Sequence, residues 1–356
     1  MLAYKPFRHL LTAAILLLTA IILSLPSPVF AADSEPATLA ERVVVPNPGT
    51  DLWRAVRQRD TDITGTTQMK APDSGTLINV SGQAWREFRM DKLVPIGMLV
   101  IGGVLLVLIV FRLLTGGMRL KNPRSGIKVP RFTPFQRLVH WSVAILFLML
   151  GLTGIILTFG RSGLIPIIGH EAFSYLAIVA KRIHDFSGPV FSITLIIMLV
   201  TFMKGNFAKL MDLNWILKAG GLFGGGHVSA GRYNAGEKSW YWIAMIVGAV
   251  VVGSGLVLDF PIFGQNRATM ELSHFIHGIA SIGLLAASFG HIYMGTVGVE
   301  GAFESMKTGY CDKTWAEEHH DIWLEEMEQT GDVGKTFEEL ESKSKSKKNS
   351  SQVLNN

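Results

Sequence analysis

Cysteine is almost absent from this sequence: Cys311 is the only one in 356 residues. A single thiol excludes an intrachain disulfide, and with it the CxxC and CxxCH elements that thiolate zinc sites and covalent c-type haem attachment require. Any cofactor the chain holds is held through nitrogen. Charge is scarce as well, at 17% of residues, against about 25% in an ordinary soluble domain. The formal balance is +5, but no basic stripe interleaved with aromatic residues is present, which argues against nucleic acid as a partner. What the chain has in quantity is apolar sequence. Hydrophobic residues make up 49% of it, mean hydropathy is +0.34, and the apolar mass is gathered into discrete runs, as in an integral protein of a lipid bilayer.

The first run reads as an address. Lys5, Arg8 and His9 precede an apolar stretch from Leu10 to Leu25, Pro26 and Pro28 break it, and Phe30, Ala31 and Ala32 offer a signal peptidase site. Residues 1–32 are expected to be a cleaved signal peptide, with a retained first helix as the alternative. Residues 33–91 contain no long apolar run and are too thin in large side chains for a substantial core, so they are expected as a periplasmic extension. Five apolar segments follow, at about residues 93–114, 136–159, 186–203, 240–258 and 273–298, each long enough or nearly so to cross a hydrocarbon layer about 30 Å thick as a helix. The connection 115–137 carries Arg119, Lys121, Arg124, Lys128, Arg131 and Arg137, and the connection 204–239 carries Lys204, Lys209, Lys218, Arg232 and Lys238. Basic loops stay in the cytoplasm. The loops 160–185 and 259–272 are then outside, and the charged tail from residue 304 is inside, with its Lys/Ser/Asn end expected to be disordered.

Histidines supply the chemistry. His277 and His291 are fourteen residues apart in the last apolar segment, nearly four whole helical turns, so both imidazoles leave one face about 21 Å apart along the axis. That is one ligand per leaflet, and a titratable ring inside a span marks a functional site. His140 lies at the cytoplasmic edge of the second span, at the depth of His291; His184 lies at the outer edge of the third, at the depth of His277. Four imidazoles paired by depth can bind two haem irons, and iron held by two imidazoles keeps no open position, which suits electron transfer. Gly151, Gly154, Gly188, Gly278 and Gly283 lie near these histidines and would let a flat macrocycle approach the backbone, although small residues also pack helices in lipid. His274 competes with His277, but seventeen residues to His291 put it about 100° off that direction, which places it beside the ligand or at the outer surface. His170 and His227 fall in loops and are expected in solvent. His319 and His320 adjoin Glu317, Glu318 and Asp321 in the tail, where partner contact or solvation is expected. Arg137, Lys181 and Arg182 sit at the membrane edges, able to neutralise haem propionates or simply to reach headgroups.

These residues also carry a family resemblance. Phe135-Gln136-Arg137-Leu138-Val139-His140-Trp141, Lys181-Arg182-Ile183-His184, the loop Arg232-Tyr233-Asn234-Ala235-Gly236-Glu237-Lys238, and His277 and His291 with Tyr293 and Met294 resemble the gamma subunit, a cytochrome b, of membrane-bound respiratory formate dehydrogenase. The likeness runs over about residues 131–325 and takes in Trp315 and the His319-His320 pair. It implies an all-α, four-helix transmembrane bundle carrying two b haems, with His140 and His291 on one iron and His184 and His277 on the other. It further implies electrons received from an iron–sulfur beta subunit attached to a molybdenum or tungsten alpha subunit. A quinone, menaquinone or ubiquinone, would be reduced at a site including Asn234, Gly236 and His291. An Asn-Ala-Gly turn at a membrane edge exposes amide groups with little bulk, as contact with quinone oxygens requires; a plain helix-entry turn is the alternative. Formate oxidation would occur on a partner, so no catalytic residue for it is expected here.

The front of the chain departs from that pattern. One extra transmembrane helix, 92–115, and a basic cytoplasmic linker, 116–134, precede the four-helix dihaem domain at 135–303, and the cytoplasmic tail occupies 304–356. Trp53 and Trp85 would offer an outer contact to the beta subunit or belong to a tether. The expected location is the bacterial inner membrane with the C-terminus in the cytoplasm. Two other function classes remain open. One is the cytochrome b subunit of a hydrogenase or thiosulfate reductase type of complex. The other is a haem-free transporter of divalent metal, disfavoured because such sites gather carboxylates with histidine near the midplane and these spans hold almost none.

Overall fold

The computed structural model describes residues 57–58, 80–221 and 228–344. The expected signal peptide, most of the extension after it, Trp53, His227 and the Lys/Ser/Asn end lie outside the described residues. The chain forms two compact units, one of Met1–Arg86 with Gly264–Ala268, the other of Glu87–Phe263 and Thr269–Asn356. In the smaller, residues 80–86 are helical and Gly264–Ala268 runs from an irregular link into a helix start.

Among the described residues, five helices are long and apolar enough to cross a membrane: α1 (Gly82–Thr115), α2 (Pro134–Gly163), α3 (Ile165–Met203), α5 (Ala235–Asp259) and α6 (Arg267–Gly298), the last closing in a π turn at Met294–Gly298. Local chemistry sets their limits. Thr133 and Gln136 form a reciprocal capping box at the start of α2, with Pro134 at the first helical position, where its missing N–H costs nothing. Asn234 and Glu237 make the same box for α5. Gly116, at φ 67°, ends α1 in a left-handed cap.

The expected outer loop at 160–185 is helix instead. Only Leu164 separates α2 from α3, and α3 bends at Gly169, whose φ of 80° suits glycine. Lys181, Arg182 and Glu171 depress hydropathy before residue 186, but Glu171, Ala172, Leu176, Ala177, Ala180 and Lys181 are strong helix formers, so the helix continues where the apolar signal fades. His170 is accordingly on α3, just past the bend, and exposed.

Helices α2 and α3 pack antiparallel and close; α5 packs on α3, held by the Tyr241 hydroxyl donating to Leu199 O at 2.6 Å. The shared core contains Val139, Val143, Phe191, Leu195, Phe202, Tyr241 and Met245. Helix α6 reaches its neighbours mainly through side chains. Helix α1 lies along α6: Phe88 stacks on Phe275 at 4.2 Å, and a Cβ on Gly278 would meet Leu93 at 2.9 Å. Gly278 therefore makes room for the additional helix, not for a cofactor.

The tail is folded as far as it is described. Strand β1 (Lys128–Pro130) pairs antiparallel with β2 (Tyr310–Asp312), Val129 opposite Cys311, so the basic linker and the tail form one cover. Between the strands in sequence lie α4 (Leu210–Leu217), on the connection from α3 to α5, and α7 (Ala302–Thr308); after β2 come α8 (Lys313–His319) and α9 (Asp321–Gln329). Val129, Cys311, Trp315, Ala316, Trp323 and Leu324 form its core. Burial pushes the Cys311 thiol up to about 11, which keeps it an inert packing group. Burial works against ionisation of Asp312, yet hydrogen bonds from Gly126, Thr314 and Ser125 hold its carboxyl below the usual range.

Candidate functional site

The bundle brings the four singled-out histidines together in two pairs, matched as their depths suggest. His140 on α2 and His291 on α6 have ring centres 6.3 Å apart at the end of the bundle that carries the tail. His184 on α3 and His277 on α6 have ring centres 6.1 Å apart toward the opposite end. Metal–imidazole bonds of about 2 Å put two rings that share one metal roughly 6 Å apart between centres. Both separations fit. His140, His184 and His277 are half-buried and His291 is exposed within the described structure.

The polar surroundings of the pairs differ. The Thr153 hydroxyl donates back to Met149 O at 2.9 Å, leaving its lone pair for His184 Nδ1 at 2.8 Å. His277 Nδ1 lies 3.0 Å from Val251 O and 3.3 Å from Ser254 Oγ, itself a donor to Val250 O. In both rings Nδ1 is the protonated nitrogen and Nε2 is left with its lone pair. His140 Nδ1, in contrast, is buried with no hydrogen-bond partner. His291 stacks face to face on Trp240 at 4.7 Å and 11°.

A flat group between the pairs would find room beside small residues. A Cβ on Gly154 would sit 3.5 Å from His184 and one on Gly255 3.0 Å from His277, while Gly188 and Gly283 face open space. Gly151 lies against Leu285, where a Cβ would come within 3.3 Å. Imidazole donors in opposed pairs, an orphaned ring nitrogen and glycines against the rings together fit haem. Among the described residues no group of three or more His, Cys, Asp or Glu is placed to hold a metal ion.

The cations singled out from sequence are partly committed elsewhere. Arg137 donates to Lys307 O at 2.9 Å and Lys181 pairs with Asp185 at 2.7 Å. His274 is exposed on α6, one turn from His277.

Asn234 is the N-cap of α5: its Oδ1 accepts from Glu237 N at 3.0 Å and Glu237 Oε2 accepts from Asn234 N at 3.0 Å. Its Nδ2 group has no protein acceptor in that box. A Cβ on Gly236 would come within 3.0 Å of the Trp215 ring from α4. Trp240, a turn further along α5, carries the stack to His291. Trp215 thus lies against the turn and Trp240 against His291, roles no periodicity in the sequence announces. Lys238, on the same turn, makes a buried ion pair with Asp212 at 2.8 Å, fixing α4 over α5.

Of the two tail histidines, His320 corrects the expectation, while His319 is half-buried. His320 is fully buried: its Nδ1 lies 2.8 Å from Gly231 O and its Nε2 3.1 Å from Arg131 Nη2. Arg131 in turn reaches Glu237 Oε1 at 2.9 Å and sits over the Trp315 ring at 4.8 Å. Neither solvent nor a partner claims His320, which instead ties the tail to the loop that presents Asn234. Burial pushes its pKa down to about 3, with the Arg131 charge adding to the shift.

Residues 131–309, just over half the chain, match the family described as prokaryotic cytochrome b561. Among curated proteins, the cytochrome b556(Fdn) subunit of the nitrate-inducible formate dehydrogenase of Escherichia coli (strain K12) is 29% identical over 198 residues, 54% of this chain and 88% of that protein. The formate dehydrogenase cytochrome b556(fdo) subunit of the same strain is 26% identical over 206 residues, covering 57% and 94%. The formate dehydrogenase cytochrome b556 subunit of Haemophilus influenzae (strain ATCC 51907 / DSM 11121 / KW20 / Rd) is 26% identical over 231 residues, covering 60% and 93%.

Proposed function

The chain belongs to the prokaryotic cytochrome b561 family and is a multi-pass membrane cytochrome b, and from that premise we propose that it is the quinone-reducing anchor subunit of a formate dehydrogenase complex. The observation that carries the proposal is the pair of opposed imidazole couples, at 6.3 and 6.1 Å, stacked across one bundle. Haem b, when bound, would supply one-electron transfer. His184 and His277 would hold the outer group and His140 and His291 the inner one, so that residues 135–303 would form the conducting domain.

Asn234 Nδ2 and the backbone at Gly236 face the quinone oxygens, His291 borders the site, and Trp215 and Trp240 give its ring apolar faces. Electrons come from an iron–sulfur beta subunit bound outside, fed by a molybdenum or tungsten alpha subunit that oxidises formate to carbon dioxide. Each formate yields two electrons, and the quinone takes both with two protons. With the basic loops and tail in the cytoplasm of the inner membrane, those protons are drawn from inside, and turnover charges the membrane.

The test is copurification of the full chain with its partners, followed by formate-to-quinone activity. Formate-driven reduction of b haem and then of quinone is expected. A complex driven by hydrogen or thiosulfate and inert to formate would contradict the assignment while leaving the haem reading intact.

A further inference from the structure

The two histidine pairs differ in the hydrogen bonding of their Nδ1 atoms. Both rings of the outer pair have a protein acceptor at Nδ1: Thr153 Oγ1 for His184 at 2.8 Å and Val251 O for His277 at 3.0 Å. In the inner pair, His140 Nδ1 has none, and among the described contacts His291 makes a ring stack with Trp240 and no hydrogen bond. A hydrogen bond from Nδ1–H gives an imidazole ligand more anionic character and raises its basicity, which favours the ferric over the ferrous state.

We propose that Thr153 is a potential-setting residue: by accepting from His184 it lowers the reduction potential of the outer haem below that of the inner one, so that an electron runs downhill from the outer iron, which is oxidised, to the inner iron, which is reduced. The inference rests on the reading of these four histidines as haem ligands. Thr153 touches no cofactor atom in this account and acts through the ring it orients. Its hydroxyl is suited to the task because its own hydrogen is spent on Met149 O and Leu150 O within α2, which leaves only acceptor capacity toward the histidine. Hydroxyls inside an apolar span are costly unless so engaged, and Thr153 is buried.

The experiment is an optical redox titration of the purified full chain with both haems bound, for the wild type, Thr153→Val and Thr153→Ser. Wild type is expected to titrate in two one-electron steps. Thr153→Val, which keeps the shape and removes the acceptor, should raise the lower step by a threefold to tenfold change in the reduction equilibrium, up to about 59 mV, and leave the upper step in place. Thr153→Ser should restore the wild-type curve. If Thr153→Val does not assemble, Thr153→Ala removes the same hydroxyl and should move the lower step in the same direction. Two haems with neither step moved, or movement of the upper step, would overturn the proposal. Wild-type protein that binds no haem would instead overturn the ligand reading beneath it.

Discussion

Acid should loosen the tail through one buried ring. His320 is neutral in the folded chain, donating from Nδ1 to Gly231 O and accepting at Nε2 from Arg131, and its pKa is about 3 against an ordinary 6.5. Above about pH 6.5 the docked and undocked tails are both neutral at this position, and docking is at full strength. Below that, the undocked ring takes up a proton that the docked ring refuses, so stability falls by about 1.4 kcal/mol per pH unit until the folded pKa is reached. At pH 5 the loss is about 2 kcal/mol, or roughly thirtyfold in the population of the undocked tail. Asp312 and Asp332, whose carboxyls are held below the usual range, stay ionised between pH 7 and 5 and add nothing to that loss. Hydrogen exchange of residues 313–329 in the full chain, corrected for intrinsic rates, should show that increase between pH 7 and 5. His320→Gln, which has no proton to gain, should flatten it. The same pH response in His320→Gln, or unchanged protection of the wild-type tail at pH 5, would refute the reasoning.

Three further outcomes follow from the same geometry. His277→Ala should remove the outer haem with the inner retained, and His274→Ala should retain both; quantitation of b haem separates them, and two haems in His277→Ala would transfer the role to His274. Asn234→Leu should slow quinone reduction at least tenfold while the donor still reduces both haems, because the cap and the amide donor are lost but no ligand is touched; loss of haem would make the residue structural. Asp212→Ala leaves Lys238 buried without its partner, a change that costs about 3–5 kcal/mol, and should release α4, read as new protease cleavage within residues 204–221; an unchanged digestion pattern would contradict the anchoring role.

The bundle was legible because helical period and apolar length are one-dimensional signals. Fourteen residues fix the relative direction of His277 and His291 whatever surrounds them, and loop charge supplies the depth that matches them to His184 and His140. The start of α3 escaped because hydropathy reports burial in lipid, whereas residues 165–185 are helical through propensity. His320 escaped for the opposite reason: its neighbours Glu317, Glu318 and Asp321 look solvated, and only the pairing of β1 with β2 brings Arg131 to it. Gly278 illustrates the ambiguity of small residues, since Leu93 of α1 fills the space that a macrocycle was expected to use. Thr153 did leave a trace. A hydroxyl in the middle of the apolar run 136–159 asks for a partner, but nothing short of three dimensions names His184.

The central claim is that two opposed imidazole pairs bind two haems in this one chain. A reduced-minus-oxidised spectrum of the purified full chain, calibrated to protein, tests it most directly. The account predicts b-type Soret and alpha bands at two haems per chain; a colourless protein, or one that carries bound zinc and no haem, would contradict it.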